Sequence, residues 1–317
     1  MTKSTTSHRI QEKIQKLDSS NTFRLDVLVK NLCSVSRGAA RGIIDEGGVQ
    51  VGKQVVKDPA FIPKSSQTLS VKYDSQKKYK EPKRSFQSKI FKLYYEDNYL
   101  LVVEKQAGYL TVPTEKNEKD TLIGAVNEYA ALKGGRSAHL VHRLDRETSG
   151  LLVLARNPNL AKTLKEQFAD RKPEREYVAF VAGNLQNDSG TIRSLLATDD
   201  DLNQYSTKDE KKGKLAITHY RVEKRLPGVS VLRVRLETGR RNQIRVHLAE
   251  KRHPVIGDTR YEPKKAAHRA WPHERLALHA TLLAFRHPVT KKKLRFECPA
   301  PAEFSEFLDK LEEKSTR

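Results

Sequence analysis

His142-Arg143-Leu144-Asp145-Arg146-Glu147-Thr148-Ser149-Gly150 runs straight into Leu151-Leu152-Val153-Leu154-Ala155. The second half is a continuous apolar run of strand length, the pattern of a strand covered on both faces. The first half is a charged loop feeding that strand, which sets Asp145 at a sheet edge beside a core. A carboxylate there must be paired or solvated, because burying it alone costs on the order of several kcal/mol. Read in isolation, Asp145 is more readily a structural ion-pair or capping residue than a chemical one. Two further segments bear on the choice. Glu237-Thr238-Gly239-Arg240-Arg241-Asn242-Gln243-Ile244-Arg245-Val246-His247 leaves an apolar strand at 229–237 and supplies cations that can pair with Asp145 or bind phosphates. In Arg175-Glu176-Tyr177 a tyrosine opens another apolar strand.

Outward from these segments, strands are expected at 89–95, 99–104, 151–155, 175–182, 216–223, 229–237, 276–286 and 292–297. Helices are expected at 120–133, 158–170 and 302–312, where Phe304, Phe307, Leu308 and Leu311 share one face. Many strands, few helices and no βαβ alternation imply an α+β fold with a mostly antiparallel sheet. Residues 1–20 read as a mobile tail. Residues 21–74 form a separate unit: Phe23, Leu25, Leu28, Val29 and Leu32 at helical spacing, a second helix capped by Ser36, then a hairpin turning at Gly52-Lys53. Arg37, Arg41 and Lys53 are expected on exposed turns of that unit, where they can meet phosphates. Residues 75–88 are basic and broken by Pro82, as in a linker, and a larger domain then spans 89–317.

The 317 residues include 60 Lys and Arg against 39 Asp and Glu, a formal net charge of +21. Such an excess points to a polyanion, most simply a nucleic acid. No run reaches membrane-spanning length, and the N-terminus has no signal-peptide core, so a cytoplasmic protein without membrane contact is expected. Cys33 and Cys298 are the only cysteines; Cys33 reads as buried packing on its helix and Cys298 as a strand-end residue, not as a disulfide framework or metal cage. The His139/His142 spacing and the loose group His268, His273 and His279 lack partners for a zinc site. Glu147 beside Asp145 suggests paired glycosidase carboxylates, but it reads as solvated.

HRLDRETSGLLVLARN and LETGRRNQIRVHLAEKRHPVIGDTRY together resemble the two long signatures of the RluA-type pseudouridine synthases. Lys105 with Ala107-Gly108, REYVAFVAG, LALHATLLAFRHP and Cys298-Pro299-Ala300-Pro301 follow in the family's order, so the likeness spans nearly all of 89–302. Residues 21–74 resemble the small alpha-L RNA-binding module, through Arg24-Leu25-Asp26, Ser36-Arg37 and GGVQVGKQV.

The resemblance implies isomerisation of uridine to pseudouridine in structured RNA, without any cofactor. It implies Asp145 as nucleophile toward the uracil ring or the anomeric carbon, or as an aid to a glycal-forming elimination. Arg245 pairs with Asp145, Tyr177 packs by the base and can move a proton, and Arg143 fills the stack vacated by a flipped base. Large-subunit ribosomal RNA is the preferred substrate and a monomer the simplest assembly. The rivals are the same chemistry on transfer RNA or another RNA, and a non-catalytic RNA-binding or ribosome-assembly factor. Gln106, where the family usually has proline, and Arg241-Asn242, where it commonly has Thr-His, depart from the pattern. Both departures are expected to lie peripheral to the nucleophile.

Overall fold

In the computed structural model, which describes residues 10–18, 22–64, 66–79, 88–133 and 137–315, the chain divides into two units between residues 86 and 87. The first unit runs β1 (Ile10–Lys16), α1 (Leu25–Cys33), α2 (Arg37–Asp45), β2 (Val49–Val51), β3 (Gln54–Val55) and β4 (Thr68–Asp74). Ser36 caps α2, its hydroxyl accepting from the Ala39 amide at 3.1 Å. Leu25, Leu28 and Val29 of α1 and Ala40, Ile43 and Ile44 of α2 are buried with Val49, Val51, Leu69 and Val71 of the sheet. Phe23, part of the expected helical stripe, lies ahead of α1 and is 58% exposed.

The sheet order is β1-β4-β2-β3. Residues 10–16, expected within a mobile tail, pair with Thr68–Asp74 along the full length of β1. Both faces of β1 are largely exposed, so backbone bonds and not apolar burial hold it, and composition gives no sign of that. The rest of the expected tail, 1–9 and 19–20, and residues 80–87 of the expected linker lie outside the described residues.

The second unit begins with β5 (Phe91–Glu96), β6 (Leu100–Lys105), α3 (Leu122–Leu132), β7 (His139–Leu140), β8 (Ser149–Ala155) and α4 (Pro158–Ala169). It continues through β9 (Glu174–Ala182), β10 (Ser189–Thr198), β11 (Gln204–Thr207), β12 (Lys214–Leu226), β13 (Val229–Leu236) and α5 (Gln243–Glu250). It closes with α6 (Pro263–Ala266), β14 (Leu278–Arg286), β15 (Lys293–Glu297) and α7 (Ala302–Ser315). Among the described residues the strands form one sheet, ordered β11-β10-β12-β13-β9-β14-β8-β6-β5, with β15 on β14 and β7 on β8. The fold is therefore α+β with a mostly antiparallel sheet.

One pairing is parallel: Ser149 and Gly150 of β8 face His279 and Ala280 of β14. It lies where the charged loop enters the middle of the sheet, and it brings β8, β14, β9 and β13 side by side. Gly150 has φ +119°, and a Cβ there would sit 2.3 Å from the Ala280 carbonyl oxygen. Only glycine lets the two backbones approach so closely. Behind the sheet, Phe304, Phe307 and Leu311 of α7 are buried with Phe180, Val231 and Trp271, as their shared helix face implies.

Candidate active site

The loop carrying Asp145 is fixed on both sides of that residue. Thr111 donates its hydroxyl to the Leu144 carbonyl at 2.7 Å and accepts from the Leu144 amide at 3.2 Å. On the other side the Arg146 carbonyl accepts from Lys105 Nζ and from the Gly108 amide, both at 2.9 Å. Lys105 is fully buried and also donates to the carbonyls of Gln106 and Tyr109. Burial pulls its pKa down to about 7, while three carbonyl acceptors around Nζ favour the ammonium form. Below the loop, Arg275 donates to the Ser149 hydroxyl at 2.7 Å, and Ser149 bonds His279 Nδ1 at 2.7 Å.

The facing wall comes from the turn between β13 and α5. Gln243 organises it: its amide oxygen accepts from the Thr238 hydroxyl and the Arg240 amide, and its amide nitrogen donates to the Ile217 carbonyl and the Thr218 hydroxyl. Asn242 stands at the N-cap position of α5, in the left-handed region at φ +52°, a conformation that asparagine tolerates better than most residues. There its side-chain amide donates to Asp145 Oδ2 at 2.6 Å. Arg245, one turn into α5, reaches the same oxygen from Nη1 at 3.4 Å. Its main partner is the fully buried Asp258, which accepts from Nε at 2.7 Å and from Nη2 at 2.8 Å. Burial opposes the Arg245 cation, but Asp258, with Asp145 behind it, holds its pKa above the ordinary arginine value.

Tyr177, 6% exposed on β9, lies between Val234 of β13 and Ala280 of β14. Burial, and to a lesser degree the Asp145 charge, raises its phenol pKa, and Arg175 offsets this only in part. Asp145, Tyr177, Asn242 and Arg245 line one cleft of about 480 Å³. Arg143, Arg171, Arg240 and Arg241 line it too and are exposed, forming a cationic rim. The four residues that the sequence assigned to the catalytic domain, Asp145, Tyr177, Arg245 and Arg143, thus share one cavity.

Two expectations need correction. Asn242 is not peripheral: its bond to Asp145 Oδ2 is shorter than that of Arg245, because the positive φ at the start of α5 turns its side chain inward. Arg41 is not on an exposed turn. It lies within α2, is buried, and donates to Asp26 Oδ2 at 3.0 Å alongside Arg37. Burial pushes the Asp26 pKa up, but the bonds from Arg37 and Arg41 outweigh it and hold it low. Arg37 is on the first turn of the same helix, with its side chain 46% exposed, and Lys53 is exposed at the β2–β3 turn. Sequence reasoning missed Asp258, which it placed only in a Gly257-Asp258 turn, and Arg175, which it quoted without a role.

The buried histidines set an acid limit. His247 lies between the hydroxyls of Thr218 and Ser194. Burial pushes both His247 and His279 from 6.5 down to about 4. Between those values the unfolded chain takes up protons that the folded protein refuses. Their contribution to stability is complete above pH 6.5 and is lost as pH falls toward 4. Urea midpoints are expected to drop across that window, and less steeply in a His247→Gln variant.

The chain is similar to known proteins whose names place them in RNA modification. The family described as RNA pseudouridylate synthase matches residues 99–250, and the S4 domain family matches 23–69. The ribosomal large subunit pseudouridine synthase D of Zymomonas mobilis is 33% identical, covering 92% of this chain and 94% of its own. The protein of the same name from Vibrio cholerae is 32% identical, covering 97% of each chain. The solved structure of human RNA pseudouridylate synthase domain containing 4 shares the fold with TM-score 0.58 and 23% identity, over 69% of this chain and 92% of that one.

Proposed function

The chain belongs to the RluA-type family of RNA pseudouridine synthases, and from that premise we propose that it isomerises uridine in large-subunit ribosomal RNA with Asp145 as nucleophile. The observation that carries this reading is the mounting of Asp145. Asn242 and Arg245 both meet Oδ2, and among the described residues no side chain donates to Oδ1. One oxygen is oriented and the other is left for the substrate. The reaction breaks the bond from ribose C1′ to uracil N1, turns the held base, and joins C1′ to C5. A proton leaves C5 and one ends on N1, so no redox partner is needed. Attack on the ring, attack at C1′ and assisted elimination all call on the same carboxylate. Tyr177 stays a phenol and is placed to move a proton. The base enters flipped out of its helix, with the Arg143 guanidinium filling the gap that it leaves.

Residues 21–74 anchor the RNA and 89–317 carry the chemistry. Among the described residues no helix is long and apolar enough to cross a membrane, and the cytoplasm is where the RNA substrate is met. Arg37 and Lys53 contact phosphates, which give affinity without sequence information. Replacing both by alanine is expected to reduce the slope of log K against log salt by roughly one for each phosphate no longer neutralised, with the catalytic rate at saturation unchanged. A salt slope equal to the wild type's counts against the anchor. The activity itself is tested with RNA carrying 5-fluorouracil at the target. A covalent or rearranged product is expected with the wild type and none with Asp145→Asn. RNA binding with neither adduct nor turnover would instead identify a non-catalytic binder.

A further inference from the structure

Arg175 is a buried cation for which no carboxylate among the described residues serves as counter-ion. It is 7% exposed on β9, two residues before Tyr177 and so on the same face of the strand. Its guanidinium lies 5.3 Å from the Phe168 ring centroid and makes a long bond, 3.4 Å from Nη2 to the Glu237 carbonyl. It is pressed on the turn that carries Asn242: a Cβ on Gly239 would lie 2.5 Å from Nη1. Nε is buried with no hydrogen-bond partner, and among the described residues no carboxylate pairs with the group. Burial pulls its pKa below the ordinary arginine value, with the nearby Tyr177 opposing. Removing one partner from a buried charge is normally costly, so an arginine built into the fold this way points to a partner that arrives with the substrate.

A second observation locates that partner. Four buried side-chain atoms lack a hydrogen-bond partner among the described residues, and two of them, Arg175 Nε and Thr148 Oγ1, belong to residues lining the Asp145 cleft. Arg171, Arg240 and Arg241 are exposed on the rim of that cleft, where they can meet a phosphate backbone. Arg175 is buried, unlike that rim, and lines the cleft from the same strand as the buried Tyr177.

Resting on the reaction proposed above, we propose that Arg175 is a further catalytic residue whose guanidinium donates to the uracil carbonyl oxygen that becomes anionic during the reaction. When the N1–C1′ pair moves onto the ring, or a nucleophile adds to it, the charge comes to rest on the carbonyl oxygens. A fixed donor in a water-poor floor stabilises that charge more than it does the neutral base, which is a gain in rate and not in binding. Where that oxygen is O4, the same donor also disfavours cytosine, whose 4-amino group presents hydrogens in place of an acceptor. A phosphate oxygen of the flipped nucleotide is the other source of the same chemistry, and the test separates the two.

Single-turnover pseudouridine formation is measured with the full chain and with Arg175→Met and Arg175→Lys. The RNAs are unmodified, 2-thio or 4-thio at the target uridine, or neutralised by a methylphosphonate at its phosphate. Arg175→Met is expected to slow the rate about 100-fold with half-saturation changed less than about threefold, and Arg175→Lys to recover part of the loss. One thio substitution slows the wild type but adds little to the Met variant, and the methylphosphonate slows both alike. If the Met variant does not fold, the same comparison is made with the Lys variant. Coupling to the methylphosphonate alone, or independent effects of every modification, would overturn the assignment, as would a folded Met variant of wild-type rate. A wild-type protein that makes no pseudouridine would overturn the underlying function instead.

Discussion

Asp145→Asn is expected to make no detectable pseudouridine, a fall of at least about 10⁴-fold in single-turnover rate, while the protein stays folded and holds structured RNA as before. The amide has the shape of the carboxylate but no nucleophilic oxygen. Its own carbonyl can still accept from Asn242, which now donates at 2.6 Å. Arg245 is not orphaned, because two of its bonds go to Asp258 at 2.7 and 2.8 Å. The Leu144 and Arg146 carbonyls keep their partners in Thr111 and Lys105. On the proposed role of Asp145, the substitution therefore removes the nucleophile and leaves the scaffold. The checks are a thermal unfolding midpoint near the wild type's and an RNA dissociation constant within about threefold of it, since phosphate contacts dominate affinity.

Gly150→Ala has the largest expected effect on stability. Its φ of +119° is strained for any L side chain, and a new Cβ would meet the Ala280 carbonyl oxygen at 2.3 Å and its nitrogen at 2.5 Å. These are backbone atoms of the neighbouring strand, so no side-chain rotation relieves the clash and β8 and β14 must part. The cost is expected to be about 4 kcal/mol or more, a large share of the roughly 5–15 kcal/mol typical of a domain. Gly108→Ala is the control. It too has positive φ, +87°, but nothing lies within 4 Å of a Cβ placed there, so only the backbone strain of about 1 kcal/mol remains. Urea denaturation of both variants should show a much larger midpoint shift at 150 than at 108.

What could be read from the residues alone followed from local pattern. The apolar runs of β8, β9, β13 and β14 lie at the centre of a sheet covered on both faces, so their burial is written continuously along the chain. The helix α5 is invisible to the same reading. Ile244, Val246, His247, Leu248 and Ala249 are buried on every side of it, so no apolar stripe alternates with a polar one. The edge strands β1 and β11 are polar sequences held by backbone bonds, and nothing in IQEKIQK or QYST announces pairing.

The site was readable where a motif carried it and opaque where contacts cross the chain. Asp145, Tyr177 and Arg245 could be named as candidates, and they line one cleft, yet Asn242 reaches Asp145 across 97 residues because of one positive φ. Arg41 looks like a surface cation by type, but Asp26 draws it inward across 15 residues. That Arg175 Nε has no hydrogen-bond partner among the described residues is a property of three-dimensional packing, and no sequence window contains it.

The most direct measurement is pseudouridine mapping of an unmodified large-subunit ribosomal RNA transcript incubated with purified protein, with transfer RNA and Asp145→Asn run in parallel. New pseudouridine in the ribosomal transcript with the wild type, and none with the variant, is the predicted result. Pseudouridine formed by Asp145→Asn, or formed by the wild type in transfer RNA alone, would contradict it.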